Sequence, residues 1–394
     1  MTRFAHISDV HLGGWKQPEM MDLNFQSFKM TVDTCIKNKL DFVLIAGDLF
    51  DSAYPPIEIL KETFAQFKRL HDAKLPCFII AGSHDYSVSG KTFLDVLEKA
   101  GFCKNVSQVE TTGEPGTEEE KFILNPVLHE GVAIYGYPGK KSGLEIQDLR
   151  KLKINEAPGM YKIFMLHTSL DKALGGLPID SISTEELPKA DYYALGHLHI
   201  DFKHDNFVYP GPIFPNNFQE LEDLKYGSFY LVDTEALTKS QKIELKIKDV
   251  LGLTIEVKDA SAATQKIISE IEAHKLDDKI VLLRVIGELE NGKPSDIKFQ
   301  QIEELVKRKG AYFMLKNTHD LKAKQVDLDV ELEDKPSEDI EEEAIKLYSE
   351  ENPSDFNKMI PELMNTLSID KQEGEKSEVF NTRLLESAKR LLKF

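Results

Sequence analysis

The chain has 394 residues, a hydrophobic fraction of 41% and a formal net charge of −18, so two or three domains with buried cores are expected. No run approaches the roughly 20 apolar residues of a membrane helix, and polar Ser8-Asp9 comes too early for a secretory signal, so no membrane association is expected. Scattered Cys35, Cys77 and Cys103 read as reduced packing residues of a cytoplasmic protein.

Taken in chain order, short β-rich apolar runs alternate with amphipathic stretches as far as about Thr234. Residues 42–46, 77–81, 132–135 and 163–166 read as buried strands. Residues 57–71 carry Leu60, Phe64 and Phe67 near helical spacing, and 111–120 reads as an exposed loop. This is an α/β layout with a sheet core. A second unit over 240–325 alternates strand and helix, with strands at 280–285 and 311–315 and helices at 262–273 and 297–307. It reads as a small α+β domain that positions something. Residues 326–354 form an acidic linker: between Asp327 and Glu351 twelve carboxylates face two lysines. A charge of −18 argues against a nucleic-acid partner, but this segment holds most of it. Residues 355–394 give two amphipathic segments. Phe356, Met359, Ile360, Leu363, Met364 and Leu367 make one apolar stripe, and Phe380, Leu384, Leu385, Ala388 and Leu391 another. Two such helices have too little core to stand alone. They either pack back on the first unit or dock on a partner.

Five fragments in the first unit place His or Asp directly after an apolar run: Ser8-Asp9-Val10-His11, Gly47-Asp48, Gly82-Ser83-His84-Asp85, His167 and Gly196-His197-Leu198-His199. Strand C-terminal ends converge on one crevice in such sheets. Mixed imidazole and carboxylate ligands suit manganese, iron, zinc or nickel. Two cations can clamp a phosphate and activate water, with Asp48 as the bridging carboxylate. His84 suits the transition state, with Asp85 orienting it. Gly47, Gly82 and Gly196 are read as tight-turn residues. His6 reads as buried rather than as a ligand.

The set resembles the calcineurin-like metallophosphoesterase superfamily, with its D-x-H, G-D, G-N-H-[DE], H and G-H-x-H motifs. Three stretches are similar to the nuclease subunits of archaeal and eukaryotic double-strand-break repair (meiotic-recombination) complexes, SbcD-like in bacteria. They are His6-Ile7-Ser8-Asp9-Val10-His11-Leu12-Gly13, Gly47-Asp48-Leu49-Phe50-Asp51 and Tyr209-Pro210-Gly211-Pro212. The resemblance covers the nuclease domain, residues 1–234. It implies a two-sheet sandwich flanked by helices, a capping domain and a C-terminal helical hairpin that binds an ABC-type coiled-coil ATPase. It implies one metal on Asp9, His11, Asp48 and His199, and another on Asp48, Ser83, His167 and His197, both Mn2+. It further implies processing of DNA ends at the nucleoid and a homodimer through helices 57–71 and 91–99, with Leu60, Phe64, Phe67, Phe93, Leu94 and Leu97 as contacts. Ser83 stands where the family has Asn, with one oxygen and a shorter reach.

Three functions are carried forward. They are a metal-dependent DNA exonuclease and endonuclease with an ATPase partner, a nucleotide or cyclic-nucleotide phosphodiesterase, and a catalytically degenerate scaffold. Lys16, Lys140, Lys141, Arg150, Lys151, Lys153 and Lys203 are candidate DNA contacts.

Overall fold

The computed structural model describes residues 2–324 except 87–89, 91, 115, 118 and 236–239, and beyond them residues 345, 346, 349, 354–369, 371 and 377–392. The expected acidic linker thus lies outside the described residues, apart from 345, 346, 349 and 354.

Two six-stranded sheets face each other. In the first, β1 (Arg3–Ile7), β2 (Phe42–Ala46), β3 (Cys77–Ile80) and β4 (Lys104–Asn105) run parallel, and β14 (Gly227–Asp233) and β15 (Gln241–Leu245) extend the β1 edge antiparallel. The second has the order β12 (Asp201–His204), β13 (Phe207–Pro210), β11 (Tyr192–Gly196), β10 (Tyr161–His167), β8 (Val132–Tyr137) and β7 (Val127–His129). A small sheet joins β5 (Val109–Thr112), β6 (Lys121–Leu124) and β9 (Leu152–Ile154). The loop expected over 111–120 therefore begins as a strand, because Thr111 and Thr112 pair with Phe122 and Lys121.

The central strands are apolar on both faces, and period-two alternation divides them between cores. Phe4, Phe42, Leu44, Ile163, Met165 and Ala194 fill the space between the sheets. Their neighbours Ala5, Ile7, Val43 and Ile45 face helices Pro18–Lys37, Ile57–Asp72 and Phe93–Lys99. In helix Ile57–Asp72, Ile59, Thr63, Phe67 and Leu70 are buried at helical spacing. Phe67, Leu94 and Leu97 are 0% exposed in the first sheet's own core, which removes them as dimer contacts, whereas Leu60, Phe64 and Phe93 pack against that core and keep part of their surface open. The large apolar side chains left open near these helices, among the described residues, are Tyr54, Ile57 and Val96.

His6 alternates with Phe4 on the inner face and is fully buried. Its Nε2–H donates to the Leu195 carbonyl at 3.2 Å, so Nδ1 accepts from the Tyr192 hydroxyl at 3.0 Å. Burial holds this imidazole neutral and lowers its pKa to about 3. The unfolded chain, with an ordinary histidine near 6.5, therefore takes up the proton first. Stability from this site is complete above about pH 6.5 and drains by on the order of 1 kcal/mol per pH unit down to about pH 3. In urea titrations across that window, His6→Gln is expected to show a shallower pH dependence than wild type.

A third sheet is parallel throughout: β16 (Val250–Glu256), β17 (Ile280–Leu289) and β18 (Phe313–Asn317), with β19 (Leu321–Ala323) on the far end of β17. Helices Ala260–Glu272 and Phe299–Arg308 cross over between its strands and share its core. The expected unit at 240–325 begins too early. Residues 241–245 pair with β14, and Leu245 is buried in the first sheet's core. Trp15, Met20, Leu23, Phe214 and Leu221 pack with Ile280, Leu282 and Leu315 in one cluster. Arg284 reaches across to Glu222 and Gln219 of helix Phe218–Leu224. That helix is thus braced from both sides.

At the C-terminal end, a 3-10 turn over Asp355–Met359 leads into helix Ile360–Leu367, which packs with helix Ser377–Leu392. None of their side chains whose exposure is described is buried. Phe356 and Leu385 are 60% and 57% exposed.

Candidate metal centre

Strands β1, β2 and β3 of one sheet and β10 and β11 of the other end at the same rim, where the loops after them meet. Asp9, His11, Asp48, His197 and His199 all have φ between 45° and 104°. Such values are uncommon outside glycine and cluster where function over-determines the backbone. The loops are tied together by backbone bonds: Asp9 N–H donates to the Gly47 carbonyl, and Val10 and His11 N–H to that of Asp48.

Three glycines let the loops approach closely. A Cβ on Gly82 would lie 2.1 Å from Asp48 Oδ1, one on Gly196 would lie 2.3 Å from the Ala46 carbonyl oxygen, and one on Gly139 would lie 2.6 Å from His167 Cδ2. Gly82 and Gly196 are required for space rather than for a turn, contrary to expectation. Gly47 needs both, with φ +88° and a Cβ position 2.3 Å from His167 Nδ1.

Asp48 is the hub. Its Oδ1 accepts the His84 backbone N–H at 2.8 Å. Its Oδ2 lies 3.1 Å from His167 Nε2 and 3.5 Å from His11 Nε2. His11 Nε2 and His199 Nε2 approach to 3.0 Å, and His199 Nε2 is 3.7 Å from Asp9 Oδ1. Among the described residues, side-chain donors converge in three groups: Asp9, His11 and His199; His11, Asp48 and His84; Asp9, Asp48 and His167. His197 stands edge-on to His167, with ring centroids 5.1 Å apart, and its backbone N–H donates to Asp9 Oδ1. Ser83 Oγ reaches Asp48 Oδ2 at a long 3.4 Å. His204 pairs with Asp205 and lies in none of the three groups.

Four of the rings are aimed by a partner on Nδ1. His167 Nδ1–H donates to the Ala46 carbonyl at 2.9 Å, and His84 Nδ1–H to the Asp51 carbonyl at 2.9 Å. His11 Nδ1 is 3.1 Å from Asp51 Oδ1, and His199 Nδ1 is 3.0 Å from Glu220 Oε1. Such carboxylate–imidazole pairs fix the tautomer and raise ligand basicity. Asp85 does not orient His84 as expected. Its buried carboxylate accepts the backbone N–H of Gly82, Phe50 and Leu49, holding two loops in place. Sequence reading missed Glu220 and Gly139. It saw Asp51 only as part of a motif.

Charge follows this geometry. Burial opposes ionisation of Asp48, but His167 and His11 outweigh it and hold the carboxyl far below its usual range. Burial likewise opposes charge on His167, which Asp48 raises to about 10, and on His199, which Glu220 and Asp9 raise to about 9. Burial, then the neighbouring His167, lowers His197 to about 4. Imidazoles and carboxylates that converge in three overlapping groups linked by Asp9, His11 and Asp48, with His167 Nε2 buried against Asp48, are a donor set that fits divalent transition cations. Glu220→Ala is expected to weaken divalent-metal affinity by about 10- to 100-fold, because the His199 ring loses its orienting charge. Competition with a chromophoric chelator measures this.

Residues 2–201 match the family model described as calcineurin-like phosphoesterase. A protein described as DNA double-strand break repair protein Mre11 from Methanocaldococcus jannaschii is 30% identical over 275 residues, 65% of this chain and 70% of that protein. Proteins with the same description from Archaeoglobus fulgidus and Aeropyrum pernix are 24% and 27% identical. The first match covers 68% of this chain and 64% of the relative, and the second 81% and 80%.

Proposed function

Because this chain belongs to the calcineurin-like phosphoesterase family, we propose that it is a manganese-dependent DNA nuclease that processes double-strand breaks. The observation that carries this reading is Asp48, with one carboxylate oxygen in reach of histidines from both sheets. The names of its relatives point the same way.

In this reading Asp9, His11, Asp48 and His199 hold one cation, and Asp48, His167 and His197 hold the other. Ser83 is at most a weak contributor, given its short reach. Two cations held there would supply Lewis acidity and charge neutralisation for displacement at phosphorus. The chain's own residues do the rest. Asp48 is shared by both positions, and its second oxygen is pinned by the His84 N–H. Ala46, Asp51 and Glu220 present the imidazoles in the right tautomer. His84, half exposed at the mouth with Nδ1–H held by the Asp51 carbonyl, leaves Nε2 to act on the transition state; protonating the departing oxygen from there requires the doubly protonated ring.

Two surfaces complete the proposal. The stripe of Phe356, Met359, Ile360, Leu363, Met364, Phe380, Leu384, Leu385 and Leu391 docks an ABC-type ATPase; its exposure supports this. A homodimer would use Ile57 and Val96. Deleting residues 355–394 is expected to spare nuclease activity of the isolated chain and abolish co-purification with a coiled-coil ATPase. Retained co-purification would refute the docking assignment.

The test of function is cleavage of linear duplex DNA and of a cyclic dinucleotide with manganese, beside His84→Ala. Duplex cleavage lost in the variant is expected. Hydrolysis of the small ester alone would leave a phosphodiesterase and remove the repair role.

A further inference from the structure

The candidate metal centre opens into two hollows that share Ser83, His84 and His197. One lies beside helix Phe218–Leu224, and its lining includes Leu198, Ile200, Glu220, Asp223 and Leu224. Beyond the shared residues and the ligand-type Asp48 and His199, it offers an approaching phosphate the carboxylates of Glu220 and Asp223 and no Lys or Arg. The other, of about 550 Å³, is lined by Ser52, Tyr54, Lys140, Lys141 and Ser142 among others. Its two acids are each accounted for within the protein, although the Asp51 side chain stays 38% exposed. The Asp51 carboxylate is engaged by His11, and Glu145 is 4% exposed, with burial favouring its neutral form. Lys140 pairs with Asp148. Lys141 is exposed and makes no ion pair among the described residues. Tyr54 stands at the rim with 72% of its surface open.

The two sides of the centre are therefore unlike, and a polynucleotide crossing it meets lysine ammonium groups on one side only. Resting on the nuclease reading above, we propose that the second hollow is the subsite for the nucleotide adjoining the scissile phosphate, with Lys141 on that nucleotide's phosphate and the Tyr54 ring against its base. An ammonium on a flexible stem follows a phosphate as a point charge. An exposed ring supplies a stacking surface that tolerates any base. A small diester lacks the neighbouring nucleotide and makes neither contact. Of the seven basic residues that sequence singled out near the site, only Lys140 and Lys141 line either hollow.

The test compares kcat/KM for a short oligothymidylate with kcat/KM for bis(p-nitrophenyl) phosphate, in manganese. Lys141→Ala is expected to lower the ratio of the two about tenfold, through KM for the oligonucleotide. Tyr54→Ala lowers it about five- to a hundredfold, and Tyr54→Phe restores it, because stacking needs the ring and not the hydroxyl. Binding of a fluorescein-labelled oligothymidylate in EDTA, followed by anisotropy, gives a readout independent of turnover. There Lys141→Ala reduces the slope of log affinity against log salt by about 0.7 to 1. An unchanged ratio and slope in both alanine variants overturns the subsite and leaves the nuclease reading standing. A wild-type chain that hydrolyses the small diester but neither cleaves nor binds the oligonucleotide overturns both.

Discussion

Asp48→Asn is expected to lower phosphodiester hydrolysis by at least about a thousandfold while the chain stays folded. Asparagine matches the carboxylate in shape and still accepts the His84 N–H that Asp48 Oδ1 accepts at 2.8 Å. The loss falls on charge. The oxygen now 3.1 Å from His167 Nε2 and 3.5 Å from His11 Nε2 serves both halves of the centre, and an amide cannot neutralise two cations. Steady-state assays on duplex DNA and on a small diester should fall together. Metal analysis should show reduced occupancy, and circular dichroism should be unchanged. Activity within tenfold of wild type would remove Asp48 from the bridging role.

Gly47→Ala is expected to cost about 2–4 kcal/mol of stability and to empty the half of the centre that contains His167. The added Cβ would sit 2.3 Å from His167 Nδ1, the atom that donates to Ala46, and 2.9 Å from the Gly82 Cα, in a backbone conformation of φ +88°. Neither contact is the end of a flexible chain, so a loop must move. Gly101→Ala separates strain from clash: it has φ +79° but nothing within 4 Å of its Cβ position, and about 1 kcal/mol is expected there. Urea midpoints and metal stoichiometry of the two variants, compared side by side, measure the difference.

Sequence carried the site because each ligand-type residue follows an apolar run, and strand ends are where such residues gather. Asp9, Asp48, His167 and His199 were legible for that reason. The residues that aim them were not. Glu220 shares helix Phe218–Leu224 with Glu222 and Asp223, and no local pattern separates it from those two carboxylates. Only the fold sets it apart, by bringing Glu220 to 3.0 Å from His199. Asp85 beside His84 suggested an orienting pair, but the chain turns so that its carboxylate faces backbone N–H groups instead. Phe67, Leu94 and Leu97 have the spacing of a helix face, which does not distinguish a face on a sheet from one on a second subunit. The boundary near 240 was blurred because β15 pairs with β14, just before it in the chain, and so closes the first sheet instead of opening the next unit. Positive φ at five of the site's Asp and His residues has no sequence signature.

The most direct test is a crystal structure of the manganese-loaded chain, with anomalous differences collected at the manganese edge. Two peaks are predicted, both in bonding range of Asp48, one also touching His11 and His199 and the other His167. A single peak, or a pair that Asp48 does not bridge, would contradict the two-metal account.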